Sequence, residues 1–354
     1  MNIVVVLNSL VFGGAERVSI LLTKWLSSQE NVNVCMVALK EKKGVGYSSE
    51  GLNYIELRKG NVFYQLRKTI KAIRPDAVLL LSVPLCLYVV PALVGLNVKL
   101  IVSERNAPAQ FSGKWITKIA SRILMKGADG FVFQTQEAKD YYGGKIAKKA
   151  AVIHNPLSII PELPASQKKD SLYHIINVGR LDKQKNQELL IESFVEVVKE
   201  YPKFRLKIIG DGREYGRLEA IIRHFNLQNV VSLPGGSNHI FEELHDADIF
   251  VLSSDFEGMP NALMEAMAMG LPCISTDCPC GGPAELITNG KNGVLVPVGD
   301  KQALVLAIKN IIKDQDTAAS MGKEASKIRQ THSMDVIGPL WLNYIKKVVN
   351  YDTV

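Results

Sequence analysis

Residues 248–276, DIFVLSSDFEGMPNALMEAMAMGLPCIST, read as a strand, a loop, a helix and a second strand. The run 248–252, apolar after Asp248, has the length of a buried strand. The loop leaving it ends at Pro260, whose fixed φ suits a first helical position, and Gly270 followed by Pro272 suits the stop. Within 261–269 only Asn261 and Glu265 are polar, and at four residues apart they share a face. A helix otherwise apolar all round is buried, and a buried carboxylate is costly unless partnered. Glu265 therefore meets a cation, a backbone donor or a ligand hydroxyl; a structural ion pair would satisfy it as well. Glu257 lies in the loop before the helix, where the free amides of 259–263 make an anion site. The run 271–275 completes a strand–helix–strand unit.

That unit recurs along the chain. In the second half the expected strands lie near 173–178, 204–210, 229–233, 248–252, 271–275 and 293–297, with helices at 187–200 and 213–224. The first half repeats the pattern, with strands at 3–8, 32–39, 53–57, 77–82, 99–103, 130–134 and 151–154. Helical patterns there cover 15–28, 62–74 and 114–126. Strands alternating with amphipathic helices predict an α/β fold built on parallel sheets. Between the halves, Pro156, Pro161 and Pro164 and the polar run SQKKD read as a linker. The last ~50 residues read as helical throughout.

A length of 354 residues suits two domains, and 47 % apolar with 22 % charged residues marks a globular chain. The five cysteines (35, 86, 273, 278, 280) are odd in number and lack the spacing of a disulfide framework or a zinc site, which fits a reducing cytoplasm. MNIVVVLNSL reads as a first strand and not as a signal peptide. The stretch 77–98 is 22 uncharged residues long, but Ser82, Pro84 and Pro91 divide it into strand, turn and helix rather than a membrane span. The net charge of +7 divides into +11 over 1–160 and −4 over 161–354. A basic first half implies an anionic partner.

Three more features carry chemistry. Gly13 and Gly14 stand between the first strand and first helix, where the backbone can approach a ligand at a helix N-terminus; a tight turn explains them equally well. This is no GxGxxG fingerprint. VGRLDKQKN (178–186) leaves the first strand of the second half, at the edge where open α/β sheets bind ligands. Arg180 and Lys185 can converge there on one diphosphate. Two cations, Glu257, Glu265 and a helix N-terminus suit a phosphorylated sugar.

The ordered set GGAER (13–17), GRLDKQKN (179–186), IIGDG (208–212), EGMPNALMEAMAMGLPCIST (257–276), GGPAEL (281–286) and GVLVPVGD (293–300) resembles retaining glycosyltransferase family 4. SERN (103–106) and CPCGGPAEL (278–286) look like its bacterial polysaccharide and glycan-assembly branch. The resemblance implies the GT-B architecture, two Rossmann-like domains facing a central cleft. The expected division is an acceptor-side domain at 1–155, a linker at 156–171 and a nucleotide-sugar domain at 172–330. A C-terminal helix at 331–354 is open to a return onto the first domain. By resemblance, Arg180 and Lys185 hold the leaving diphosphate, Glu265 the ribose and Glu257 the donor sugar, with these four and Gly14, Gly258, Met259, Pro260, Asn261, Gly281, Gly282 and Glu285 around the donor. Glu257, Arg180 and Lys185 are the expected catalytic residues. No metal and no cofactor are implied, the cations serving in place of Mg²⁺.

Glu104, Arg105 and Asn106 are acceptor-side candidates; many relatives carry histidine where Arg105 stands, so a base at that point is put in doubt. Lys114, Trp115, Lys118, Arg122 and Lys126 form a basic amphipathic helix suited to an anionic membrane surface, with a solvated surface helix as the plainer alternative. No nucleic-acid module is present. The expected enzyme is cytoplasmic and peripheral on the inner face of the membrane. It transfers a sugar with retention from a UDP-hexose or UDP-N-acetylhexosamine to a glycan acceptor borne on a polyprenyl diphosphate. A UDP-sugar epimerase or a non-catalytic nucleotide-sugar-binding subunit on the same architecture are the alternatives.

Overall fold

The computed structural model describes residues 1–11, 13–42, 46–58, 60–109, 115–158, 160–162 and 173–350. Most of the expected linker, and Lys114, lie outside the described residues. The chain divides into two compact units, one of Met1–Pro156 with His332–Val354 and the other of Leu157–Thr331.

The first unit holds a seven-stranded parallel sheet: β1 (Asn2–Leu7), β2 (Asn33–Ala38), β3 (Tyr54–Glu56), β4 (Ala77–Leu80), β5 (Lys99–Glu104), β6 (Gly130–Phe133) and β7 (Ala150–Val152). Their order is β3-β2-β1-β4-β5-β6-β7. Ile3–Leu7 and Ala77–Leu80 are buried because parallel strands are covered on both faces, which is why they read as unbroken apolar runs. The uncharged stretch 77–98 resolves into β4, a 3-10 turn at Val83–Leu85 and the helix Cys86–Leu93. Among the described residues, no helix is long and apolar enough to cross a membrane.

The C-terminal helix Met334–Val349 packs on Gly14–Ser27 and buries Trp341. Gly338 permits that approach, since a Cβ there would lie 2.4 Å from the Trp25 ring. The Tyr344 hydroxyl locks the helix to the sheet, accepting from Phe131 N at 2.7 Å and donating to Lys149 O at 2.5 Å.

The second unit holds β8 (Tyr173–Val178), β9 (Phe204–Ile209), β10 (Val231–Gly235), β11 (Ile249–Leu252), β12 (Cys273–Thr276) and β13 (Val294–Val296), all parallel, in the order β10-β9-β8-β11-β12-β13. Successive residues feed opposite cores. Ile175, Leu206, Ile249 and Val251 pack with the helices Gln187–Glu200 and Lys301–Lys313, while Ile176, Ile209, Phe250 and Leu252 pack with Asn261–Ala268. Strand order reverses between β8 and β11, so the loops leaving these two strands splay apart and open a crevice, the usual ligand position in such sheets. Those loops are 179–186 and 253–260, which carry Lys185 and Glu257.

Candidate donor site at the reversal point of the second sheet

Glycines bring the loops together. Gly210 (φ +152°) and Gly212 lie so close to the loop after β8 that a Cβ on either would sit 1.9 Å from Gly179 O or 2.1 Å from Leu181 O. Asn186 takes a left-handed conformation (φ 44°), caps the helix Gln187–Glu200 by accepting from Leu189 N at 3.3 Å, and donates to Asp255 Oδ1 at 2.7 Å. Asp255 N donates to Gln184 O at 2.8 Å, and Ser253 Oγ to Lys185 O at 3.0 Å. The turn after β8 is therefore tied to the loop after β11 by side chains and backbone alike.

Within that frame Lys185 Nζ lies 2.5 Å from Glu257 Oε1, both side chains being largely buried. Ser254 Oγ donates to the same oxygen at 2.6 Å, and Gln184 Nε2 reaches Oε2 at 3.5 Å and Phe256 O at 2.9 Å. The main chain of Glu257 is fixed by two bonds, from its N to Pro279 O (2.8 Å) and from Cys280 N to its O (3.0 Å). This pairing lays 278–282 along 257–258 so tightly that a Cβ on Gly282 would lie 1.7 Å from Gly258 O. The Cys278 thiol beside the pair is pushed up to about 12 by burial and by the Glu257 charge, so it stays protonated and inert.

An ammonium has three donors. One is engaged by Glu257, which leaves two for phosphate oxygens. Glu257 in turn holds a fixed, charge-balanced carboxylate suited to accepting from sugar hydroxyls. Arg180 differs: its side chain is 68 % exposed and touches Asp182 at 3.3 Å, so it stands free to swing onto an anion. Pro260 sits at the cap of the helix Asn261–Ala268 rather than at its first position, because its ψ of 107° is extended. Glu265 is buried on that helix, and Glu285 is exposed on the short helix Gly282–Leu286. Reading the sequence missed Ser254, Gln184, Asn186 and Asp255 as positioning residues; the one available signal was a run of polar residues, SSD, directly after an apolar strand.

In the first unit Gly14 is exposed and opens the helix Gly14–Ser27, after an extended Gly13. The acceptor-side triplet is divided between interior and surface. Arg105 is buried: its Nη1 donates to Asn155 Oδ1 at 2.6 Å and its guanidinium lies 5.3 Å from the Trp341 ring centre. Burial lowers its pKa to about 9. Glu104 is buried too and accepts from Arg105 N, Asn106 N and the Tyr142 hydroxyl, burial raising its carboxyl above the usual range. Only Asn106 of the three is exposed.

The basic helix spends two of its cations on contacts within its own unit. In Trp115–Met125 the cations turn inward: Lys118 Nζ donates to Ala109 O at 2.9 Å, and Arg122 donates to Pro108 O and to the Tyr141 hydroxyl at 3.2 Å, its guanidinium 5.4 Å from the Tyr141 ring centre. The outward face carries Trp115, Ile116, Ile119 and Ile123, with Lys126 exposed just beyond the helix.

Residues 160–328 match the family profile described as Glycosyl transferases group 1. The chain is 33 % identical over 248 residues to an uncharacterized glycosyltransferase of Methanocaldococcus jannaschii, covering 63 % of this chain and 61 % of that relative. It is 26 % identical over 294 residues to the lipopolysaccharide 1,6-galactosyltransferase of Salmonella typhimurium, covering 78 % and 76 %. Among solved structures, the Anabaena protein Alr3699/HepE in complex with UDP-glucose superposes with a TM-score of 0.85 at 18 % identity, over 98 % of this chain and all of that one. The fold is that of GT-B glycosyltransferases. The chain spans about three fifths of the length of the Methanocaldococcus relative it matches. The profile covers every residue of the Lys185–Glu257 site and none of the first unit up to residue 156.

Proposed function

We propose that this chain is a retaining glycosyltransferase that moves a hexose or N-acetylhexosamine from a UDP-linked donor to a glycan hydroxyl during polysaccharide or lipopolysaccharide assembly. The observation that carries the reading is the buried Lys185–Glu257 pair at the sheet reversal, with two ammonium donors left for a diphosphate. Lys185, joined by the mobile-headed Arg180, neutralises the charge that develops on the leaving UDP, as a metal ion does elsewhere. Glu257, clamped by Ser254 and Gln184, orients the donor sugar. Glu265 holds the ribose. Retention, the uridine base, metal independence and the role of Glu265 follow from the motif resemblance. The names printed for the Salmonella galactosyltransferase and for the UDP-glucose complex point the same way. The acceptor is a glycan on a polyprenyl diphosphate, met at the anionic inner face of the membrane.

A melting screen with UDP, GDP, ADP and their sugars tests the donor. A ligand that binds only the folded chain raises Tm by mass action. UDP and one UDP-sugar are expected to raise it and the other bases to leave it unchanged. No rise with any nucleotide refutes the reading.

A further inference from the structure

A parallel sheet covered on both faces is made of unbroken apolar strands, and β9 departs from that rule. Its sequence is FRLKII, with Arg205 and Lys207 half-buried between the buried Phe204, Leu206 and Ile208. Two residues apart on a strand, the cations share a face. The register sets Arg205 beside His174 of β8, and Lys207 between Ile176 of β8 and Ser232 of β10. On this face the helix Ile240–His245 places Ile240 and Leu244 with the core around Ile176 and Phe250, while its Glu243 reaches Lys207 as an ion pair. Six residues make less than two helical turns. The outer strands are therefore left with a cavity of about 450 Å³ over them, within the range of small-molecule sites. It lies at the N-terminal ends of β8, β9 and β10, the sheet edge opposite the loops 179–186 and 253–260. Its floor is fixed, because His174 N donates to Asp248 Oδ2 and Asp248 N to His174 O, both at 2.8 Å.

We propose that this cavity is a second ligand site, taking a monosaccharide that carries one phosphate or carboxylate group. It goes beyond the transfer reaction, since none of its lining residues belongs to the donor site. The charges select the occupant. Arg205 Nη1 donates to Pro202 O and Phe204 O at 2.9 and 2.8 Å, and among the described residues no carboxylate pairs with this guanidinium. Its other N–H groups are left for an anionic group. From the helix side come Glu243, neutralised by Lys207, and Asp246, which oppose a second negative charge and accept from hydroxyls. The exposed amides of Gln228 and Asn229 add donors and acceptors at the rim. Ile176 and Ala247 give a small apolar base for the ring's C–H groups. Among the described residues lining the cavity there is no aromatic ring on which a nucleobase would stack, which favours a sugar over a nucleotide.

Calorimetric titration of the full chain with glucose 6-phosphate, glucuronate, glucose and inorganic phosphate tests the site. At least one of the two anionic sugars should bind with a Kd of about 1 mM or tighter. The one that binds identifies the anionic group. Glucose and phosphate should each bind at least roughly tenfold more weakly, since each offers half of the recognised chemistry. Arg205→Gln should weaken the sugar roughly tenfold or more, and Ser232→Trp, on the cavity wall, should block it. Both positions are apart from the donor loops, so the UDP-induced rise in Tm should stay as in wild type. Lys185→Met/Glu257→Gln should bind the anionic sugar as wild type does. Failure of both anionic sugars to bind wild type overturns the site. So does phosphate binding as tightly as the sugar, which would leave a bare anion site. Binding that survives Arg205→Gln and Ser232→Trp, or is lost in Lys185→Met/Glu257→Gln, also overturns it by moving the sugar elsewhere. A chain that binds the sugar as described yet shows no response to UDP keeps this site and loses the donor assignment.

Discussion

Each of the two sheets ends in a cation and a carboxylate, and the two units treat them in opposite ways. In the second unit Lys185 and Glu257 come from different loops and meet at 2.5 Å, with Ser254 and Gln184 completing the carboxylate's shell. In the first unit Glu104 and Arg105 are neighbours in sequence and turn apart, Glu104 toward Tyr142 and Arg105 toward Asn155 and Trp341. A charged pair assembled from distant segments is a candidate site, whereas two adjacent charges that turn into the unit's own interior serve its packing. Arg105 helps seat the returning C-terminal helix through Trp341.

The sharpest break in this comparison comes from deleting one cation at a time. Lys185→Met leaves Glu257 buried without its counter-charge and should cost about 3–5 kcal/mol of unfolding free energy, read by denaturant titration. Adding Glu257→Gln should restore most of it, because the uncompensated charge is then gone. If the double variant is no more stable than the single, the pair is not coupled as described.

A smaller effect belongs to the two histidines at the first unit's chain crossings. His154 Nδ1 and His332 Nε2 lie 2.9 Å apart with stacked rings. Burial, and then the His154 charge, pulls the His332 pKa from 6.5 to about 4. The unfolded chain binds the proton first, so this contribution is complete above about pH 6.5 and is lost as pH falls toward 4. It amounts to roughly 3 kcal/mol at most. His332→Phe should flatten that part of the stability profile, and an unchanged slope between those pH values would count against a His332 held neutral by its surroundings.

The smallest effect is Arg105→Met. Among the described residues no carboxylate pairs with this guanidinium, Gln134 still donates to Asn155 Oδ1 at 2.6 Å without it, and methionine keeps the stem's packing against Trp341. The change in stability should be within about 1 kcal/mol. A loss as large as that of Lys185→Met would erase the contrast between the two edges.

The sequence made the strands legible because parallel strands buried on both faces are unbroken apolar runs, as at Ile3–Leu7 and Ile249–Leu252. Lys185 and Glu257 were legible as motif residues on loops that the strand order then brings together. Their clamp was not, since Ser254 and Gln184 are small or polar residues whose roles depend on which neighbouring loop they meet. Nor was the direction of Arg105, Lys118 and Arg122. A cation every fourth residue marks a helix face, but carbonyls at 108 and 109, far from those residues in any periodic pattern, decide that the face turns inward.

The account stands on Lys185, set in place by Glu257, holding a nucleotide diphosphate rather than merely its partner carboxylate. Calorimetric titration of UDP into wild type and into Lys185→Met/Glu257→Gln tests this directly, since the double variant keeps its fold and loses only the charged pair. UDP should bind wild type and lose roughly a hundredfold in affinity to the folded double variant. A double variant that binds UDP as tightly as wild type would make the pair a structural ion pair and contradict the account.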